Sequence, residues 1–199
     1  MEILGIIPVR GGSKRLPRKN LALIDGQTLL SRTIQQAQAS RYLTRLVVCT
    51  EDDELAQEAA RQGVQVIKEP VTLAEGPTVF ALQFVLNHLE KYENYHPLIA
   101  VTLQVTSPLR TPADIDQTIK LVIDGARSAE TLCEGKENGA VYVSTRYMLL
   151  YEGKIVDNPA IHEMPRERSV DVDTQEDLDK AIGGVKPEAP RKRGRPKRK

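Results

Sequence analysis

The sequence predicts an α/β fold: a mostly parallel sheet with helices on both faces, in three α/β/α layers. Three observations carry this. The apolar runs at residues 3–9, 46–49 and 98–103 are short and continuous, as expected of strands buried on both faces. Segments with helical spacing separate them, and the resulting strand–helix alternation implies right-handed βαβ units. Glycines, cations and carboxylates gather just after apolar runs, where sheets of this kind bind ligands, beyond the carboxyl ends of their strands.

Each element has its own justification. Residues 3–9 (ILGIIPV) form the first strand, followed by a polar, glycine-containing loop from Arg10 to Asn20. Leu29, Leu30, Ile34 and Ala37 give the first helical stripe, and residues 46–49 the second strand. Asp52 or Asp53 can cap a helix that ends before Gly63, with Leu55 and Ala59 on one face. Residues 64–67 form a third strand. Leu82, Val85, Leu86 and Leu89 space out an i, i+3, i+4, i+7 helix, and residues 98–103 a fourth strand. Thr111, Pro112 and Asp114 start the next helix as capping hydroxyl, first-position proline and acid, and Ile115, Ile119 and Val122 continue it. Residues 140–143 read as a fifth strand and residues 177–182 as a final helix.

The 199 residues fit one domain over residues 1–183 with a basic tail over residues 184–199. The formal charge of +1 hides a partition. Arg191, Lys192, Arg193, Arg195, Lys197, Arg198 and Lys199 lie in the last nine residues; without them 21 cations face 27 acids, a formal −6. Pro187, Pro190 and Pro196 among these cations predict a disordered tail. No apolar run approaches the ~18 residues of a membrane helix. Glu2 stands where a signal peptide would be basic, so the expected location is cytoplasmic, with no membrane partner. Cys49 and Cys133 make no disulfide framework, and His88, His96 and His162 lack metal-ligand spacing.

Four segments could carry chemistry. Arg10, Lys14, Arg15, Arg18 and Lys19 place five cations in ten residues beside Gly11 and Gly12. Such a loop offers charge and directed N–H donors to a triphosphate, although a solvated basic loop has the same composition. It is neither a P-loop nor a G-x-G-x-x-G turn. Gln104 to Arg110 (QVTSPLR) puts polar groups at a strand's carboxyl end, as a substrate contact or as a plain connection to the next helix. Asp171 and Asp173 alternate with Val170 and Val172. In a strand both carboxylates would share a face and repel unless a cation such as Mg²⁺, with phosphate oxygens, sat between them. Alternatively Asp173 or Thr174 caps the last helix. Asn138-Gly139 reads as an ordinary turn before the fifth strand.

Together and in this order, the four segments resemble the acylneuraminate (CMP-sialic acid) cytidylyltransferases. Residues 6–20 are similar to that family's signature almost residue for residue; residues 104–110 resemble its Q-P-T-S-P-L-R, residues 138–142 its N-G-A-I-Y, and residues 169–174 its S-I-D-I-D-T. The resemblance implies a Rossmann-like nucleotidyltransferase fold and transfer of CMP from CTP to the anomeric hydroxyl of a sialic-acid-like keto sugar acid, with release of pyrophosphate. It implies that Arg10, Gly11, Gly12, Ser13, Lys14, Lys19 and Asn20 hold CTP, that Gln104 and Asn138 face the sugar, and that Asp171 and Asp173 bind Mg²⁺. Arg10, Lys19 and Asp173 would be the catalytic set, and the family's arrangement implies a homodimer.

The chain departs from that pattern at four places. Val105 replaces a proline. Glu69 stands where an R-P-x-x-L-A motif has its arginine, with Lys68 one position earlier as a stand-in. Gly76 replaces an aspartate, and the interval between Arg110 and Asn138 is shorter. Residues 190–199 (PRKRGRPKRK) resemble an AT-hook, whose flat Arg-Gly-Arg-Pro core enters the narrow minor groove, so DNA or RNA is an expected partner of Arg191 to Lys199. The alternative to an enzyme is therefore a degenerate nucleotidyltransferase-like binding module tethered to nucleic acid.

Overall fold

The computed structural model describes residues 1–13 and 15–184. Lys14 and the whole basic segment from residue 185 lie outside them, and with them the expectations for Lys14 and for the AT-hook-like tail.

Among the described residues, nine strands and six α-helices follow in chain order: β1 (Ile3–Pro8), β2 (Leu23–Ile24), β3 (Gln27–Thr28), α1 (Leu29–Gln38), β4 (Arg45–Thr50), α2 (Asp53–Arg61), β5 (Gln65–Lys68), α3 (Val71–Ala74), α4 (Thr78–Glu93), β6 (Ile99–Leu103), α5 (Pro112–Ile123), β7 (Ser128–Cys133), β8 (Lys136–Thr145), β9 (Ala160–Glu163) and α6 (Gln175–Gly184). Seven strands form one sheet in the order β5-β4-β1-β6-β8-β7-β9. β5, β4, β1 and β6 are parallel. The strand β2 pairs only with β3, in a small separate ribbon.

The two faces of β1 explain the layers. Ile3 and Ile7 join a buried cluster with Leu30 and Ile34 of α1, Leu55 of α2 and Ile115 and Ile119 of α5. Leu4 and Ile6, one residue out of phase, join a second cluster with Leu82, Val85, Leu86 and Leu89 of α4. Successive side chains of a strand point to opposite faces, so a continuous apolar run is what a sheet sandwiched between two helical layers requires.

The helix starts follow their capping chemistry. The Asp52 carboxylate accepts from the backbone N–H groups of Glu54 and Leu55 and opens α2. Thr111 and Asp114 form a reciprocal capping box at α5, with Pro112 in the first turn. Gly63, at φ +71°, takes the left-handed conformation just after α2. The helix α6 continues through Gly183 and Gly184, past the point where the sequence pattern stops.

The far half of the sheet departs from simple alternation. The strand β8 runs antiparallel to β6, with Ile99 opposite Thr145 and Leu103 opposite Val141. β7 pairs antiparallel with β8, and β9 parallel with β7. The strand expected at residues 140–143 is thus the middle of a longer one. Asn138-Gly139 is not the turn; it lies inside β8, and the β7–β8 hairpin turns at Glu134 and Gly135, both at positive φ. A register shift between Glu130 and Leu132 absorbs the irregularity, and Gly139, at φ +68°, supplies the conformation it needs. Residues 170–173, where a strand would have put both carboxylates on one face, belong to no strand.

Candidate active site

A cleft of about 1130 Å³ opens beyond the carboxyl ends of β1, β4, β5 and β6. Its lining includes Arg10, Gly12, Ser13, Arg15, Lys19 and Asn20 from the loop after β1, Gln104, Val105 and Thr106 after β6, and Asp173. The rest of the lining includes Glu51, Glu69, Leu73, Ala74, Gly76, Pro77, Thr78 and Ala81, and Arg10 reaches across to the Ala74 carbonyl at 3.4 Å.

The loop after β1 is held from below. The Gly11 N–H donates to Glu51 Oε1 at 2.8 Å, and the Asn20 side-chain amide donates to the Arg10 carbonyl at 2.8 Å. A Cβ on Gly11 would fall 2.4 Å from Asp52 Oδ2, so glycine is required there by close approach, whereas a Cβ on Gly12 would meet open space. The Gly11 N–H is therefore spent on Glu51, and Gly11 does not line the cleft; Gly12 does. Arg18, in the left-handed conformation, turns away to pair with Asp52 and Glu54 of α2.

Asp173 arrives from the other end of the chain. The Val172 N–H donates to the Thr106 carbonyl at 2.7 Å while Val172 packs into the core, which fixes residues 171–173 against the loop after β6. Thr174 and Asp177 cap α6 between themselves, the Thr174 hydroxyl donating to Asp177 Oδ2 at 2.7 Å. That frees the Asp173 side chain to reach the cleft. Its Oδ1 accepts from Lys19 Nζ at 2.7 Å and its Oδ2 from Arg15 at 2.5 Å. The Lys19 hydrogen bond and the neighbouring cationic charges outweigh partial burial and hold the Asp173 carboxyl below its ordinary value. Asp171 is exposed and does not line the cleft. Desolvation by surrounding protein, together with the charge of Asp173, raises its carboxyl, against an opposing hydrogen bond from Thr106.

Of the two aspartates, Asp173 alone brings its carboxylate to the cleft, and Lys19 and Arg15 bond both its oxygens. Among the described residues no group of three His, Cys, Asp or Glu side chains could hold a metal ion by itself. This donor set fits a Mg²⁺ completed by phosphate oxygens and does not fit a closed protein site.

Gln104 lines the cleft; its carbonyl accepts from Arg110 at 2.6 Å. The same Arg110 nitrogen donates to the Ala140 carbonyl at 2.9 Å, tying the loop after β6 to β8. Arg110 is 1% exposed, and burial lowers its pKa to about 9. Asn138 does not join the cleft. Its amide donates to Ser169 Oγ at 3.1 Å and its carbonyl oxygen accepts from Thr131 Oγ1 at 2.6 Å and the Ala140 N–H at 3.1 Å. Those bonds make it a link between β7, β8 and the segment before Asp171.

Sequence reasoning missed the acidic floor of the cleft. Glu69 is 7% exposed, and one oxygen each of Glu51 and Glu69 is buried without a hydrogen-bond partner. Burial, then the charge of Glu51, raises the Glu69 carboxyl above its ordinary value, against a hydrogen bond from the Cys49 thiol. Lys68 does not stand in for the arginine of the family motif. Its ammonium donates to the Glu51 carbonyl at 2.6 Å and to Asp53 at 2.8 Å, away from the cleft lining. The signal for Glu69 was its position, the first residue after the β5 run.

The sheet order, the strand-end cleft and its cationic loop define a Rossmann-like nucleotidyltransferase fold. The chain belongs to the cytidylyltransferase family, whose model matches residues 4–145. It is 33% identical over 126 residues to a CMP-N,N'-diacetyllegionaminic acid synthase of Legionella pneumophila, covering 61% of this chain and 53% of that protein. It is 24% identical over 218 residues to an N-acylneuraminate cytidylyltransferase of Escherichia coli, covering 91% and 51%. The chain thus spans about half the length of these curated relatives. Among solved structures, a CMP:2-keto-3-deoxy-manno-octonic acid synthetase complexed with CTP superposes with a TM-score of 0.75 at 17% identity, covering 92% of this chain and 98% of that one.

Proposed function

We propose that the chain transfers CMP from CTP to the anomeric hydroxyl of a sialic-acid-like keto sugar acid and releases pyrophosphate. The observation that carries this is the meeting of Asp173 with Lys19 and Arg15 at the loop of Arg10, Gly12 and Ser13, which joins a metal-type carboxylate to a phosphate-type cradle. The relatives' names support a 2-keto sugar acid as acceptor, and the sialic-acid-like members are one branch of that class.

Arg10, Ser13 and Lys19 would hold the phosphates, with Asn20 fixing the loop by its bond to the Arg10 carbonyl. Gln104 would face the acceptor. The sugar hydroxyl oxygen attacks the α-phosphorus in line, the bond from that phosphorus to the bridging oxygen breaks, and pyrophosphate leaves as the hydroxyl proton passes to solvent. Positioning and charge neutralisation suffice, with no covalent enzyme intermediate. Asp171 and Asp173 would hold Mg²⁺, which when bound neutralises phosphate charge and favours the deprotonated hydroxyl. The test is pyrophosphate release from CTP and Mg²⁺ over a panel containing N-acetylneuraminic acid, a legionaminic acid and 3-deoxy-manno-octulosonic acid. Turnover with the octulosonate alone moves the acceptor to that branch, and no turnover with any acid sugar rejects the reading.

A second reading, an idle nucleotide-binding module tethered to nucleic acid, is favoured by Glu69 in place of arginine and by the seven cations of residues 191–199. It expects CTP binding without turnover, and a salt-dependent DNA shift lost when residues 191–199 are deleted.

A further inference from the structure

Asp173 commits both of its oxygens to the cationic loop after β1. Oδ1 accepts from Lys19 Nζ at 2.7 Å and Oδ2 from Arg15 at 2.5 Å. The Lys19 side chain is 13% exposed, so its ammonium faces this carboxylate more than solvent. The backbone on either side is anchored. The Val172 N–H donates to the Thr106 carbonyl at 2.7 Å, and the Asp173 and Thr174 N–H groups donate to Asp177 Oδ2 at 3.3 and 3.0 Å. A carboxylate anchored in this way meets its cations at a high effective concentration, as a tethered ligand does.

Carboxylate and phosphate oxygens make the same demand on lysine and arginine, a charge-assisted hydrogen bond from an N–H group. A polyphosphate that takes Lys19 and Arg15 therefore has to displace Asp173. Displacement leaves a carboxylate without its cations beside a polyanion, and the two repel each other. Transfer of the carboxylate to a divalent cation removes both penalties, because such a cation pairs with carboxylate and phosphate oxygens together.

We infer that Asp173 is a built-in competitor of the polyphosphate. Its ion pairs with Lys19 and Arg15 are an autoinhibitory contact, released when the carboxylate passes to a divalent cation. Cation and polyphosphate then raise the cleft's affinity for each other, reciprocally, through the exchange of one carboxylate. The inference rests on the proposed roles of Lys19 toward phosphate and of Asp173 toward Mg²⁺, and adds how binding at that same site is regulated. It makes an unusual demand of Asp173→Asn. A variant that loses a cation ligand should bind the polyphosphate more tightly when no divalent cation is supplied.

The experiment is calorimetric titration of the full chain with inorganic triphosphate and with CTP, each in EDTA and in Mg²⁺. It compares the native protein with Asp173→Asn and with Glu75→Gln, which removes a cleft-lining carboxylate outside the pair. In EDTA, Asp173→Asn should bind triphosphate about fivefold or more tighter than native protein, the yield of releasing two partly exposed ion pairs. Glu75→Gln should change that affinity by less than about twofold at physiological salt, where unpaired charges are screened. Adding Mg²⁺ should raise the native affinity by a factor about fivefold or more larger than the variant's. Chelation in solution is common to both proteins and cancels in that ratio. Asp173→Ala removes the same ion pairs and serves if Asp173→Asn does not fold. Equal affinities in EDTA for the native protein and the Asp173 variant overturn the inference. So does an equal gain from Mg²⁺, or a Glu75→Gln gain in EDTA as large as that of Asp173→Asn, which marks a general charge effect. Polyphosphate binding without these differences overturns this inference alone, whereas native protein that binds neither triphosphate nor CTP overturns the proposed function with it.

Discussion

Lys19 Nζ lies 2.7 Å from Asp173 Oδ1, an ion pair that joins the loop after the first strand to the segment before the last helix across 154 residues of chain. Arg15 holds the other oxygen of the same carboxylate. Both residues line the cleft, so the pair ties its two distant chain segments together there.

Replacing Asp173 should therefore separate chemistry from folding. Asp173→Asn keeps the shape and removes the charge, and Asp173 does not cap α6, which Thr174 and Asp177 serve. Turnover should fall by about 100-fold or more, the usual loss when one charge-stabilising group is removed. The melting temperature should stay within a few degrees, since partly exposed ion pairs contribute little to stability. Pyrophosphate release and thermal denaturation read the two effects.

The two glycines of the loop should behave differently. Gly11→Ala drives a methyl toward Asp52, whose side chain is committed to capping α2. It should cost about 1–3 kcal/mol by overpacking and shift the loop. Gly12→Ala meets nothing and should leave stability within about 0.5 kcal/mol. Urea denaturation of both variants measures the contrast; equal losses would contradict the close-approach argument.

Asp114 should govern acid stability. Burial pushes its carboxyl up, but hydrogen bonds from His162, Arg168 and Thr111 overcome that and hold it well below the ordinary carboxylate range. A depressed folded pKa stabilises the protein fully above the unfolded value of about 4 and less as pH falls through the folded value. Asp114→Asn, which removes the buried charge that pairs with the partly exposed Arg168 and His162, should lose about 3 kcal/mol at pH 7. The gap between variant and native protein should shrink below about pH 4. Denaturant midpoints from pH 7 to pH 2.5 check the sign.

Glu69 should show the reverse dependence. Its carboxyl is raised by burial and by Glu51, so its ionised form opposes folding above the ordinary pKa, and that opposition fades as pH falls. Glu69→Gln should be more stable than the native protein by about 1 kcal/mol at pH 8, with the advantage lost near pH 4. A variant less stable at pH 8 would mean that the carboxylate is better satisfied than its lone oxygen indicates.

The half of the sheet that was legible in sequence is the half with helices on both faces. There, burial leaves uninterrupted apolar runs, and β1, β4 and β6 follow them within a residue or so. The strands β7 and β9 were not legible because their interiors are not apolar: Glu130 and Thr131 are buried in β7, and β9 carries His162 and Glu163. Asn138-Gly139 carried a turn signal, but tertiary hydrogen bonds held Asn138 in a strand. Within the cleft, the basic loop and Asp173 announced themselves by local spacing. Glu51 and Glu69 did not, because their pairing depends on two strands lying side by side, and no local pattern records that.

The antiparallel course of β8 has a consequence for how such a protein can diversify. Because Val141 sits opposite Leu103, residues 136–140 run past the end of β6 on the side where the cleft opens. The Glu134-Gly135 tip therefore extends beyond the carboxyl end of β6, outside the cleft lining and apart from the loop that carries Arg10 and Lys19. Adding or trimming residue pairs at that tip changes the length of the hairpin and leaves the register of β6 against β1 untouched. A hairpin that stands clear of the lining can lengthen or shorten without rebuilding the cleft.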